Sequence, residues 1–309
     1  MTATVTDSDG HSFRLEPIDC PICGPGPKKR LGLRGGRSHR YGLGVETTIV
    51  VCRSCGLLFP DPFPYPLNPQ KLYGDPAKYF EHHDEAGHIA NHEAIVAGIA
   101  ARSHVAAPVI VDVGSGRGEL LAAAKKAGLD AVGLELSTTF IGYARDRHGV
   151  EVLRETIEEH SLSYPTRYDA VAFSAVLEHL YDPAAAIAAA ARLSRPGAVL
   201  YLDLPCEPNL LTRVHRVGAR LSRSDAVLNL SPTFTPYHVF GFNPASLERL
   251  LAQHGFVIED CRIWAAPAVP SRGGLDAVRA AAATTLNRLA NHIGQGSNMV
   301  VWARWDGRS

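Results

Sequence analysis

Short, unbroken apolar runs alternate with segments of helical period across the middle and carboxyl-terminal part of the chain. VIVDV at 109–113, AVGLE at 131–135, residues 150–153, DAVAFS at 169–174 and AVLYLDL at 198–204 are too short for core helices. They are also too continuous for strands with one wet face, so they are expected as strands covered on both faces, as in a parallel sheet. Between them, helical spacing predicts helices over about 117–127, 138–147 and 183–194, the last opening on Asp182 as a cap and Pro183 at its first position. A further helix is expected from Asn243–Pro244 to Gly255, with Leu247, Leu250 and Leu251 on one face. Strands near 256–263 and 298–304 complete the pattern. The expected fold is α/β, a doubly wound (Rossmann-like), mostly parallel seven-stranded sheet.

The flanking segments follow other rules. Residues 1–18 are polar and without period, which predicts a tail with at most one strand. Residues 61–70 carry four prolines and read as an extended linker, ahead of a helical region over about 76–104. Residues 206–241 interrupt the alternation as an insertion. Within it Leu210, Val214, Val217 and Leu221 line one helical face beside a stripe of Arg213, Arg216, Arg220 and Arg223, the pattern of an amphipathic helical lid over the sheet's carboxyl edge. Three regions result: a tail and cysteine-bearing module over 1–60, a linker and helical segment over 61–107, and the α/β domain over 108–309 containing the lid.

Composition narrows the partners. Lys plus Arg and Asp plus Glu number 31 each, so no global field favours nucleic acid or lipid. The first twenty residues lack an apolar signal core, and no run approaches the ~20 apolar residues of a membrane helix. A cytoplasmic protein without a membrane segment is expected; its oligomeric state is not encoded in any motif. Six cysteines in that compartment favour metal or free thiols over disulfides, with Cys206 and Cys261 expected as buried thiols.

The other four form two pairs, CPIC at Cys20–Cys23 and CRSC at Cys52–Cys55. Two such knuckles complete a tetrahedral thiolate site, and the intervening segment is long enough for a hairpin between them. Four sulfurs close the coordination sphere, so the ion expected is a structural Zn2+ in a zinc ribbon rather than a catalytic one. Gly24 and Gly56 follow the pairs where the backbone must turn.

After strand 109–113 the chain reads Asp112-Val-Gly114-Ser-Gly116-Arg-Gly118, a turn in which glycines allow backbone to approach a ligand. The dinucleotide spacing would require glycine at 119, which is Glu119. With Glu135 closing the second strand, YDAVAFSAVLEHLYDP in the fourth and SRPGAVLYLDLP at 194–205, the segment over about 108–305 resembles class I S-adenosylmethionine-dependent methyltransferases. That resemblance implies Gly114, Ser115 and Gly116 against the methionine portion of S-adenosylmethionine, with Asp112 organising the turn. It implies Glu135 on the ribose, Leu136 on the adenine, Thr156 and Ile157 flanking the adenine ring, and Ser174 and Ala175 beside the amino acid end. Gly118 serves either the turn or helix packing.

The amino-terminal pattern CPICG, CRSCGLLFPDP and YGDPAKYF is similar to the zinc-binding methyltransferases of sugar and natural-product pathways. Tyr79 and His82–His83 fall in the helical segment ahead of the sheet, where they are candidates to close over the cofactor. The nucleotide-sugar C-methyltransferases among them continue into a further domain, whereas this sequence runs out after SNMVVWARW, which favours O-methylation of a sugar, nucleotide sugar or secondary metabolite. C-methylation of a nucleotide sugar, methylation of an rRNA base and a non-catalytic cofactor-binding module with a docking ribbon are the alternatives.

Transfer to a hydroxyl requires its proton to be removed, and neutral histidine suits that step near pH 7. Of 14 histidines, His179 in LEHL and His238 in TPYHVFGF fall at the expected carboxyl edge of the sheet, the second carried by the lid. Lys28, Lys29, Arg30, Arg34, Arg37 and Arg40 cluster between the cysteine pairs with no acid among them. A phosphate-bearing small-molecule acceptor explains this cluster; balanced total charge argues against nucleic acid.

Overall fold

The computed structural model describes residues 3–72, 85–266 and 275–307, with side chains omitted at 70, 71, 85–89 and 275–279. Thirteen strands appear among them: β1 Ala3–Thr6, β2 Ser12–Glu16, β3 Lys28–Arg34, β4 Thr47–Cys52, β5 Leu58–Pro60, β6 Phe63–Pro66, β7 Ile110–Val113, β8 Ala131–Leu134, β9 Val152–Leu153, β10 Tyr168–Ser174, β11 Ser194–Pro205, β12 Phe256–Trp264 and β13 Asn298–Trp305. They form one seven-stranded sheet, ordered β12-β13-β11-β10-β7-β8-β9, and two three-stranded sheets, β1-β2-β6 and β3-β4-β5. The chain gathers into two compact units. One comprises Met1–Leu67, Leu204–Arg249 and Cys261–Val300, the other Asn68–Asp203, Leu250–Asp260 and Val301–Ser309.

In the second unit β10, β7, β8 and β9 pair in parallel with their neighbours, and β11 pairs in parallel with β10. Both faces of these strands are covered: Ile110, Val111, Ala170, Val171, Ala172, Phe173 and Leu200 are all buried. Each fully buried large side chain contributes about 1.5–3 kcal/mol, which is why unbroken apolar runs find this geometry. Strand order turns back on itself at β7. The chain proceeds outward through β8 and β9, then returns to place β10 on the other side of β7. That reversal leaves a crevice beyond the carboxyl ends of β7 and β10, where open α/β sheets bind ligands.

The connecting helices end where their caps dictate. Asp182 accepts from the Ala185 amide at 2.9 Å with Pro183 at the first position, and Ser137 caps Thr138–His148, which closes at the left-handed Gly149. The segment expected to be helical over 76–104 is helical as Glu85–Arg102 in its described part. A helix with no counterpart in the sequence reading, Leu275–His292, precedes β13.

The first unit departs from the sequence reading in three places. Residues 1–18 are not a frayed tail, and 61–70 is not wholly a linker: β1, β2 and β6 form an antiparallel sheet with Phe13 and Phe63 fully buried. Prolines are tolerated in β6 because it lies at the sheet's edge. The insertion does form a helix, Leu210–Leu221, but its buried side is at Thr212, and Val214, Val217 and Leu221 are exposed. Cys261 is exposed, not buried like Cys206, because it falls on the exposed stretch of β12.

A candidate methyl-transfer site and a four-cysteine cluster

Between β7 and the helix Glu119–Lys126 the chain makes a tight turn in which Gly114, Gly116 and Gly118 all have positive φ. At Gly116 an added Cβ would meet nothing within 4 Å, so this part of the turn faces open space. At Gly118 it would lie 2.9 Å from Ala144 Cβ, so that glycine serves close packing of the helix Thr138–His148. The turn is tied to β8: the Ser115 amide donates to the Leu134 carbonyl at 3.0 Å, and the Gly116 amide to Glu135 Oε2 at 3.1 Å. The other oxygen of Glu135 accepts the Leu136 and Ser137 amides at 2.8 Å each.

Asp112, on β7 just ahead of this turn, is buried. Burial, with Glu119 and Glu135 nearby, holds its pKa well above the usual carboxylate range. The Gly116 amide is held by Glu135, and the Ser115 and Gly118 amides by backbone carbonyls.

The remaining residues fall into distinct surroundings. Leu136 is half-exposed at the end of β8. Thr156 caps the helix Ile157–Ser163 through a reciprocal pair with Glu159, so its hydroxyl is already engaged, and Ile157 is buried in the core. Ser174 ends β10, and Ala175 follows with φ 53°, a left-handed conformation that costs a non-glycine residue and is held by its amide donating to the Asp203 carbonyl at 2.8 Å. Tyr79 lies outside the described residues, as do His82 and His83.

His179 ends a short 3-10 turn, Leu177–His179, just past β10, with Nε2 3.8 Å from Glu178 Oε1. Glu178 is buried and its carboxyl is pushed up to about 8 by desolvation, with a further rise from Asp203. Asp203, facing Ser174 from β11, is itself raised to about 6 by burial. Sequence reading missed these two acids. The signal for Asp203 was a lone carboxylate within an apolar strand, and for Glu178 its place beside the histidine already singled out. Asp112, the glycine turn, Glu135, Ser174, Ala175 and His179 all belong to the second unit, at the carboxyl ends of β7, β8 and β10.

His238 belongs to the first unit, where its amide donates to Ser231 Oγ at 3.2 Å within the segment leading to Phe242. Nearby in that unit, Glu207 accepts from Asn229 Nδ2 and is raised to about 7 by burial, against the opposing pull of that hydrogen bond and the Arg34 charge.

Three of the six basic residues between the cysteine pairs are engaged. Lys28 pairs with Asp61 at 2.6 Å and Arg30 with Asp225 at 2.9 Å, while Arg34 donates to the Leu230 carbonyl at 2.9 Å and lies over Phe234. The acids missing from the local sequence come from other segments.

The four cysteines converge between β3, β4 and β5, with every sulfur within 4.8 Å of the others and no disulfide. Cys20 and Cys55 sulfurs stand 3.7 Å apart, against about 3.8 Å for the edge of a tetrahedron with 2.3 Å metal–sulfur bonds. Knuckle hydrogen bonds, Gly24 amide to Cys20 carbonyl at 2.8 Å and Gly56 amide to Cys52 carbonyl at 2.9 Å, shape both turns. The proton shared between Cys20 and Cys55 lowers the first thiol to about 5 and raises the second. The donor set fits a closed, four-sulfur metal site.

A glycine-rich turn at the reversal of a doubly wound sheet, followed by an acid on the next strand, is the arrangement in which open α/β sheets bind nucleoside-containing cofactors. The chain belongs to the methyltransferase domain family, whose model matches residues 85–260; S-adenosylmethionine is the cofactor of that class. It is 38% identical over 110 residues to a ubiquinone biosynthesis O-methyltransferase from Methylococcus capsulatus, a match covering 34% of this chain and 46% of the relative. A similarly named protein from Thiobacillus denitrificans is 28% identical over 164 residues, 52% of this chain and 68% of its own. The chain therefore spans less than half the length of the first of these relatives. A chain from the complex of the Haloferax volcanii Trm112 methyltransferase activator with a methyltransferase superposes with TM-score 0.50 at 17% identity, covering 71% of this chain and 92% of that one. That likeness concerns the fold.

Proposed function

We propose that the chain is an S-adenosylmethionine-dependent O-methyltransferase acting on a small-molecule hydroxyl, with a structural Zn2+ in its cysteine module. The observation that carries this reading is the glycine turn at the β7/β10 reversal, tied to Glu135 through the Gly116 amide. S-adenosylmethionine supplies a methyl group already activated on a sulfonium, so the protein must position the acceptor and accept its proton.

In this reading the turn at Gly114–Gly116 approaches the methionine portion, and the exposed face of Leu136 covers the adenine. Glu135 meets the ribose; its carboxylate has about four acceptor sites, so a ribose diol shares oxygens with the Gly116, Leu136 and Ser137 amides. His179 takes the acceptor proton. Glu178, raised to about 8 by burial, is protonated at neutral pH beside that imidazole. His238 is a second candidate base, contributed by the insertion.

The names of the relatives support a hydroxyl acceptor. A sugar, nucleotide sugar or secondary metabolite remains our reading of the acceptor, resting on the amino-terminal motif; engagement of Lys28, Arg30 and Arg34 within the module weakens the case for a phosphate. Calorimetry with S-adenosylhomocysteine, then transfer of labelled methyl to a panel of phenols, sugars and nucleotide sugars, tests it. Micromolar cofactor binding with O-linked product is expected. Failure to bind S-adenosylhomocysteine overturns the reading; binding with no product on any hydroxyl leaves a cofactor-binding module instead.

A further inference from the structure

The insertion helix Leu210–Leu221 turns the wrong side outward for a helix that only packs on its own unit. Leu210, Val214, Val217 and Leu221 fall within about 60° of arc at 100° per residue. Val214 is 50% exposed, Val217 58% and Leu221 84%, and Leu211 beside them is 49% exposed. Arg213, Arg216 and Arg220 occupy a second sector of similar width, and Arg223 follows the carboxyl-terminal cap at Ser222. Among the described residues none of these four arginines forms an ion pair. They crowd one another, and burial together with the Arg220 and Arg213 charges holds the Arg216 guanidinium below its usual value.

The helix is nevertheless firmly placed. Asn209 and Thr212 form a reciprocal capping box, the Leu210 amide donates to the Gln295 carbonyl at 3.0 Å, and the side bearing buried Thr212 faces its own unit. A preformed helix of about 18 Å thus presents an aliphatic face beside a cationic stripe that forms no ion pair among the described residues.

We propose that this face is a peripheral docking surface for an anionic lipid bilayer, the aliphatic side chains entering the headgroup–acyl boundary and the arginines meeting lipid phosphates. Charge complementarity selects this occupant: four cations without an ion pair among the described residues attract an anionic surface. The row carries no aromatic side chain on which bases could stack, which disfavours a single-stranded nucleic acid. The face is also smooth, without the aromatic anchor that typically centres a protein interface. Large amphipathicity with arginine on the polar side is the pattern of interfacial helices, and among the described residues no helix is long and apolar enough to cross a membrane.

The test is co-sedimentation of the full chain with vesicles of phosphatidylcholine alone and of phosphatidylcholine with roughly one-third phosphatidylglycerol. Binding is expected to the second and to weaken steeply with salt. Val217→Asp with Leu221→Glu should abolish it, and each of Arg213→Gln and Arg220→Gln should lower partitioning about fivefold. All lie on the exposed side, so Tm and S-adenosylhomocysteine affinity should stay at wild-type values, which separates this proposal from the methyltransferase reading. No binding to either vesicle overturns it, as does vesicle binding that persists in Val217→Asp/Leu221→Glu. Loss of self-association or of RNA retention in these variants, without vesicle binding, would overturn it in favour of that other partner.

Discussion

The Glu135 carboxylate accepts the Gly116 amide at 3.1 Å, so the acid at the end of one strand fixes the turn after its neighbour. Under the proposed function the same side chain serves as scaffold and as ligand contact. Glu135→Ala frees three backbone amides and should weaken S-adenosylhomocysteine binding at least tenfold. Glu135→Gln, which can still accept from some of them, should lose less. Calorimetry on both variants checks the order, and equal losses would show that only the charge matters.

His179→Ala should bind cofactor normally and lose roughly 10²–10⁴-fold in turnover, with the loss easing as pH rises and the acceptor ionises unaided. His238→Ala is the parallel test for the insertion. Single-turnover rates across pH decide between them, and near-full rates in both would leave positioning alone to drive transfer.

Glu178 shapes the pH dependence of stability. Its folded value is raised from 4.5 to about 8, so the stability it contributes is complete below 4.5 and is lost as pH rises through about 8. Asp203, raised from 3.8 to about 6, acts in the same direction at lower pH. Glu178→Gln imitates the protonated acid and should flatten the decline in Tm between pH 5 and 8, stabilising the protein at the alkaline end by on the order of a few kcal/mol. A steeper decline in the variant would mean that the carboxyl is ionised in the folded state.

The cysteine cluster should hold close to one zinc per chain, removed together by strong chelation. Cys52→Ser should release the metal and lower Tm by roughly 5–10 °C. Metal-free wild type with unchanged Tm would remove zinc from the account.

The strands of the second unit were legible because burial on both faces writes itself into sequence as an unbroken apolar run. Cap residues such as Asp182 fixed helix starts for an equally local reason. The first unit was less legible because its partners are remote. β1 and β2 carry little apolar period, and what orders them is Phe63, far along the chain and inside a proline-rich stretch that reads as linker. Likewise the run from Lys28 to Arg40 reads as a free basic patch until Asp61 and Asp225 arrive from elsewhere. The helix Leu275–His292 was legible in principle, through its alanine-rich repeat. At the site, motif position picked out the glycine turn, Glu135 and His179. It could not show that Glu178 and Asp203 are buried acids with raised pKa values, since burial is a property of the packed sheet.

The cysteine module shares its core with the insertion. Ile49 and Leu58 pack on Val227 and Leu230, and Arg34 reaches the Leu230 carbonyl across 196 positions of chain. On the ribosome the knuckles can capture metal as soon as Cys55 emerges, but the apolar side of that small sheet then waits through most of translation for its cover. With zinc bound as proposed, metal capture would precede completion of the fold, and for that interval the nascent chain would carry a metal-ordered ribbon with an open hydrophobic flank. A chaperone dependence that grows when elongation slows between residues 60 and 230 is the cellular signature of that order of events.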